Sequence, residues 1–249
     1  MSRTTIVVPC YNEVARFDAQ AFDWALNDNP GLDFLFVDDG SSDDTLAVLH
    51  SFEEKHQGRV HLLALEHNQG KAGAVRAGML EAFAADANQC GYWDADLATP
   101  LDEIARFVEM LESRPQLDLV IGSRVKLLGR SIERNPLRHY LGRVAATVAS
   151  LLLDLPVYDT QCGAKLFRNT PAMKALFADP LTSGWVFDVE IIARMIRQRR
   201  DAGLPPAEFA IYEMPLLHWH DVAGSKIRIA DYARALVEVL RVYRRYLRR

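Results

Sequence analysis

The chain has 249 residues, 49% hydrophobic and 25% charged, with a formal net charge of −4, which excludes disordered, collagenous and disulfide-scaffold proteins. Its longest run without a charged residue, Val144 to Leu153, is ten residues, against the roughly 20 that a membrane-spanning helix needs. Thr4 to Pro9 reads as a strand and not as a signal peptide, so the expectation is one large soluble, cytoplasmic α/β unit.

Along the chain, short β-branched or aromatic runs alternate with helical periodicity. Strands are expected at Thr5–Val8, Phe34–Val37, Val60–Leu65, Gly91–Trp93 and Leu117–Ile121. Amphipathic helices are expected between them, near Val14–Asn27, Asp44–Lys55, Ala72–Ala85 and Leu101–Glu112. This alternation means βαβ crossovers and a mostly parallel central sheet flanked by helices. Ligands of such sheets bind beyond the carboxyl ends of the strands.

The segments after the strands are polar or glycine-bearing. They are Pro9-Cys10-Tyr11-Asn12-Glu13, Asp38-Asp39-Gly40-Ser41-Ser42-Asp43, His67 to Gly73, Asp94-Ala95-Asp96 and Gly122-Ser123-Arg124. Past Arg124 comes a basic stretch (Lys126, Arg130, Arg134, Arg138, Arg143), then the apolar Val144–Leu153. A turn and short strand follow at Asp159–Lys165, a helix at Phe187–Arg199, a strand at Phe209–Met214, and a last helix at Ile229–Leu247. The division expected is a catalytic unit over 1–228 and a basic amphipathic helix over 229–249. Cys10, Cys90 and Cys162 are far apart and form no C-x-x-C pair, as expected of reduced, buried thiols.

No G-x-G-x-x-G follows the first strand and no G-x-x-x-x-G-K-[ST] occurs, which argues against a dinucleotide-binding enzyme and a P-loop NTPase. The rim offers carboxylates instead. Asp94 and Asp96, two apart at a strand end, suit Mg²⁺ or Mn²⁺ held by one or two carboxylates plus substrate phosphates. A D-x-D triplet alone is more often a solvated turn; its position after Tyr92-Trp93 at a strand end, on the same rim as the other motifs, is what points to a metal. Ser42 or Asp43 would cap the next helix, but two adjacent aspartates exceed what a cap needs. Gly70-Lys71-Ala72-Gly73 opens a helix and is a natural anion site; an ordinary turn with a solvated lysine is the other reading. Arg124 supplies a permanent cation.

The succession PCYNE, VDDGSSD, HNQGKAGAVRAGM, DADLATP and GSR resembles the family 2 glycosyltransferases of GT-A fold. Downstream, DTQCGAKLF, GWVFDVEI and HWHDVAGSKIR resemble the branch that loads a sugar onto a polyprenyl phosphate, above all the dolichyl-phosphate β-glucosyltransferases. The resemblance runs from about Thr4 to about Ala235. It implies a nucleotide-sugar donor lined by Pro9, Tyr11, Glu13, Asp39, Gly70, Lys71 and Asp94, with Asp96 holding the metal. It places Gln161, Lys165, Asp188 and Glu190 on the sugar and acceptor side, and Trp219 and Lys226 in a segment that closes on the donor. Acceptor phosphate would meet Arg124, Arg130, Arg134 and Lys165. The stretch Leu97-Ala98-Thr99-Pro100 lacks the Gln that helps bind metal in mannosyl relatives, which favours UDP-glucose over GDP-mannose.

The chemistry expected is displacement of a nucleoside diphosphate from an anomeric carbon, with Asp94, Asp96, Arg124 and Asp188 as the catalytic set. An ionised phosphate acceptor needs no general base, whereas a sugar hydroxyl would need one, and Asp188 is the candidate. A nucleotidyltransferase would carry a glycine-rich basic signature after strand one, which is missing. The last 26 residues hold eight basic and two acidic side chains. Leu236, Leu240, Tyr243 and Leu247 form one stripe and Arg234, Arg241, Arg245 and Arg248 another, as in a helix lying on an anionic bilayer or docking on a membrane protein; a core-packing helix with a solvated basic face is the alternative. The expected setting is peripheral, on the cytoplasmic face of a membrane. A purely membrane-binding module is the non-enzyme alternative, and no aromatic–basic interleaving points to nucleic acid.

Overall fold

A computed structural model of the chain describes residues 2–133, 136–220 and 229–248. Its main sheet has seven strands: β1 (Thr4–Cys10), β2 (Leu32–Asp38), β3 (Val60–Ala64), β4 (Gln89–Trp93), β5 (Leu119–Ser123), β7 (Ala164–Arg168) and β8 (Ile211–Pro215). Their order is β3-β2-β1-β4-β7-β5-β8. Every pairing is parallel except those of β7, which runs antiparallel to both β4 and β5. A two-stranded parallel ribbon, β6 (Ser131–Glu133) with β9 (His218–His220), stands apart.

Strand residues alternate between two cores, because successive side chains point to opposite faces. On β1, Ile6, Val8 and Cys10 face a core with Phe22, Phe34 and Phe107. Val7 faces the other, with Val75, Tyr92 and Phe167. Helices α1 (Ala19–Asp28), α2 (Thr45–Lys55) and α4 (Glu103–Ser113) feed the first core. Helices α3 (Gly70–Ala82), α5 (Pro136–Leu153), α7 (Phe187–Asp201) and α8 (Ile229–Val242) feed the second. On α4 the buried Ile104, Phe107 and Leu111 recur at helical spacing, and losing one such large side chain costs about 3–5 kcal/mol. On α3, a Cβ at Gly78 would stand 2.4 Å from Val7 Cγ1. Only glycine lets the helix lie that close to the sheet and set its N-terminus at the rim.

Four local departures from the sequence reading have physical reasons. The first helix begins at Ala19 and not at Val14. Residues 13 and 14 are tied across to Thr45, whose Oγ1 accepts from both backbone amides at 2.8 and 3.0 Å, and Asp18 caps the helix. The fifth strand starts two residues late, because Leu117 N–H closes a turn on Arg114. Asp43 accepts from Thr45 N–H at 3.0 Å, while the residue at the α2 cap position, Asp44, makes no side-chain cap bond. Ribbon strand β6 and the short helix α6 (Pro171–Ala175) carry no readable periodicity at three and five residues.

The C-terminal helix is not free. Its Ala235, Val239 and Val242, and Tyr246 and Leu247 in the π-type turn that continues it over Tyr243–Leu247, join the second core against α5 and α7. Of the stripe expected to meet a bilayer, Leu247 is therefore packed inward and Leu240 faces out. Arg241, Arg244, Arg245 and Arg248 are exposed. Among the described residues no helix is long and apolar enough to cross a membrane.

Candidate active site

The carboxyl ends of β1, β2 and β4 and the N-terminus of α3 enclose a cleft of about 420 Å³ lined by Pro9, Tyr11, Glu13, Asp39, Gly70, Lys71, Asp94 and Asp96. These expected donor-side residues come from four separate stretches of chain. Cys10, Asn68, Ala74 and Ala95 complete the lining and were not singled out from sequence.

Each side chain has a local cause for its position. Asp39 is nearly buried and accepts from Gln69 N–H at 2.7 Å, which fixes the α3 start against β2. Gly70 adopts a left-handed φ of 76° there, a conformation costly to residues with a Cβ. Lys71 reaches back across the cleft to Asp94 Oδ1 at 2.6 Å. After Asp96, Leu97 takes φ 51°, an uncommon strain for a branched residue. Ala98 N–H donates to Asp96 Oδ1 at 3.1 Å and holds that carboxylate at the turn.

The electrostatics are those of a site awaiting charge. Burial, then the charge of Asp94, pushes the Asp96 carboxyl above the usual carboxylate range. Burial also raises Asp39 and Glu13, against the amides bonded to Asp39 and the Arg16 beside Glu13. Glu13 Oε2 is buried without a hydrogen-bond partner among the described residues. Burial works against the Lys71 ammonium, but Asp94, with Asp188 and Asp96 beyond it, holds its pKa above the ordinary value. Two crowded carboxylates and one orphaned acceptor fit a ligand that brings a cation and N–H or O–H donors.

Gly163 is a residue that the sequence reading passed over. It stands directly before β7, and Asp94 N–H donates to its carbonyl at 3.0 Å. A Cβ at Gly163 would lie 2.0 Å from Asp94 Oδ2. Asp94 therefore lies against the face of a glycine. The missing signal was the direction of β7, which brings the residues preceding a strand, not those following it, to the rim.

The acceptor-side expectations fare differently. Lys165 has no exposed side-chain surface and pairs with Asp188 at 2.6 Å and with the Cys162 carbonyl at 2.7 Å. The Tyr92 hydroxyl also donates to Asp188. Lys165 is thus a buried counterion in this structure, where the resemblance implied a contact to acceptor phosphate, and its place on a central strand is the reason. Glu190 is likewise buried and bonded to Ser183, Thr182, Arg194 and Tyr246, which makes it a tether within the core.

Arg124 lies outside the cleft lining. Its guanidinium is clamped by Asp159 at 2.6 and 2.8 Å and lies over the Trp219 ring, with Asp159 holding its pKa up against burial. Glu213 accepts from the backbone amides of Tyr158 and Asp159 and fixes that clamp. Gln161, on the same turn, donates its N–H to Asp159 at 3.3 Å. Arg130 sits in the loop before β6. Arg134 and Lys226 lie outside the described residues. The three cysteines are free and buried. Among the described residues no group of three or more His, Cys, Asp or Glu side chains is set to hold a metal alone.

An α/β sheet of this order, with a carboxylate-lined cleft at its strand ends, defines a nucleotide-sugar transferase architecture. Residues 5–176 match the model of glycosyl transferase family 2, and the chain belongs to that family: it is a glycosyltransferase. The dolichyl-phosphate beta-glucosyltransferase of Saccharomyces cerevisiae is 31% identical over 91% of this chain and 69% of its own. That of Dictyostelium discoideum is 30% identical over 98% of this chain and 74% of its own. Among solved structures, the glucosyl-3-phosphoglycerate synthase from Mycobacterium tuberculosis, in complex with Mn²⁺, uridine diphosphate and glucosyl-3-phosphoglycerate, superposes with a TM-score of 0.67. It covers 97% of this chain and 78% of its own at 16% identity, a likeness of fold.

Proposed function

We propose that this glycosyltransferase moves glucose from UDP-glucose to a polyprenyl phosphate, with inversion at the anomeric carbon. Both relatives described above are named for transfer to dolichyl phosphate. The observation that carries the choice of acceptor is the state of Asp188. A hydroxyl acceptor needs a carboxylate base, and Asp188 is already committed to Lys165 and Tyr92. A phosphate acceptor arrives ionised and needs none.

In this reading Tyr11, Pro9 and Asp39 receive the base and ribose, and Glu13 Oε2 gains the donor it lacks. Asp96, with Asp94 beside it, would hold Mg²⁺ or Mn²⁺, an assignment that fits its oxygen donors and raised pKa. When bound, that cation neutralises the diphosphate as a Lewis acid. Lys71 leaves Asp94 and follows the charge that grows on the departing diphosphate. Asp94, released, is free to orient the sugar. A single displacement on an α-linked donor gives a β-linked product. Arg130 would receive the acceptor phosphate, Arg124 would join it by exchanging Asp159 for that phosphate as Lys71 exchanges Asp94, and the protein would work peripherally on the cytoplasmic face of the membrane.

The test is a panel of UDP- and GDP-sugars crossed with polyprenyl phosphate and simple sugar acceptors, with Mn²⁺, Mg²⁺ or chelator. The expected result is metal-dependent UDP release from UDP-glucose that polyprenyl phosphate stimulates. Preference for GDP-mannose would overturn the donor, and turnover on a sugar hydroxyl with none on polyprenyl phosphate would overturn the acceptor.

A further inference from the structure

The loop between β5 and β6 leaves Arg124 and ends in a tight turn, in which Arg130 N–H donates to Leu127 carbonyl at 3.2 Å. Gly129 supplies the left-handed φ of 77° that such a turn needs at its third position. The turn projects Leu128 fully into solvent, at 103% relative exposure, with Leu127 at 48%. A single exposed leucine is ordinary. Two in succession at the tip of a projecting turn, with Lys126 before them and Arg130 after, have the composition of an interfacial anchor.

The roots of this turn are fixed. Arg124 is clamped by Asp159, and on the other side Ser131 N–H donates to Leu217 carbonyl at 2.9 Å while Ile132 is buried in the core. What is presented is a short apolar wedge held at both ends. C-terminal helix α8, the expected membrane contact, gives Ala235, Val239 and Val242 to the protein's own core.

We propose that the Leu127–Leu128 turn inserts into the headgroup region of an anionic bilayer, with Lys126 and Arg130 against lipid phosphates. Its purpose rests on the polyprenyl-phosphate reading, because the turn's roots, Arg124 and Arg130, are the side chains assigned to the acceptor phosphate. Seating the wedge brings the bilayer surface to those two arginines. The charge of the two flanking cations commits the surface to anionic lipid over a neutral one.

The experiment is flotation of the full chain with vesicles of mixed phosphatidylcholine and phosphatidylglycerol, against pure phosphatidylcholine, in the absence of any polyprenyl phosphate. The wild type should float with the anionic vesicles, less so as salt rises. The Leu127→Ser/Leu128→Ser double variant should lose roughly a hundredfold in partitioning, with unchanged circular dichroism and UDP binding. Lys126→Gln should narrow the difference between the two lipid mixtures. A wild type that stays in solution, or a double variant that floats equally well, overturns the inference, including the case in which the turn meets a protein instead. Because the vesicles carry no acceptor, these outcomes are independent of turnover: polyprenyl-phosphate glucosylation in detergent without vesicle binding would retain the function and remove the wedge.

Discussion

At the scale of single residues, the cleft is a set of carboxylates held closer than they would choose. Asp96 has its pKa raised by burial and by Asp94, so the fold prefers its neutral form. The stability that preference contributes is complete below the unfolded value of about 3.9 and is lost as pH rises through the folded one. At neutral pH the ionised Asp96 therefore costs stability. Asp96→Asn should raise the thermal midpoint of the ligand-free protein while cutting sugar-transfer turnover by about a hundredfold or more. A lowered midpoint or retained turnover would contradict this account of Asp96. Gly163→Ala isolates geometry from charge. Its Cβ would stand 2.0 Å from Asp94 Oδ2, so Asp94 must move while the backbone stays in an ordinary conformation. Displacement of about 1 Å costs on the order of a hundredfold in rate. Steady-state turnover should fall by that much with near-normal urea stability, and an unaffected rate would show that Asp94 does not need its seat.

At the scale of elements, the tether between α7 and α8 gives a charged motif residue a structural task. Glu190 on α7 accepts from Ser183, Thr182 and Arg194, and from the Tyr246 hydroxyl in the turn that continues α8, at 2.8 Å. Burial works against its charge, but these partners more than offset it and hold the carboxyl below the usual range. Such a group contributes stability above the unfolded value of about 4.3, and loses it as pH falls through the lower folded value. Glu190→Gln leaves Arg194 buried without its counterion and should cost about 3 kcal/mol by urea unfolding at neutral pH, with the difference shrinking in acid. A loss under about 1 kcal/mol would place the pair among weak surface contacts. The sequence carried the strands and helices of the first half because Ile6 to Val8 and Phe34 to Val37 are short unbroken runs of β-branched, leucine and aromatic residues, while Ile104, Phe107 and Leu111 recur at helical spacing. It carried the residues that line the cleft because they follow parallel strands. It did not carry the second half as well. Lys165 reads as a surface cation until β7 is known to lie between β4 and β5, where both faces are covered.

At the scale of the whole molecule, a half built by alternating strands and helices supplies the cleft, and a half closed by long-range contacts packs against it. The reversed β7 joins them, since Trp93 pairs with Ala164 and Ile121 with Lys165. The Lys71–Asp94 bridge at 2.6 Å spans the mouth of the arrangement and has a consequence of its own. Before any ligand enters, the Lys71 ammonium already holds an internal anion, which an anionic visitor that uses Lys71 must displace. A nucleoside or a free sugar brings nothing that outcompetes a carboxylate for that ammonium, whereas a diphosphate does. At this one position the empty protein thus ranks visitors by charge before shape is consulted, favouring a diphosphate over a neutral sugar.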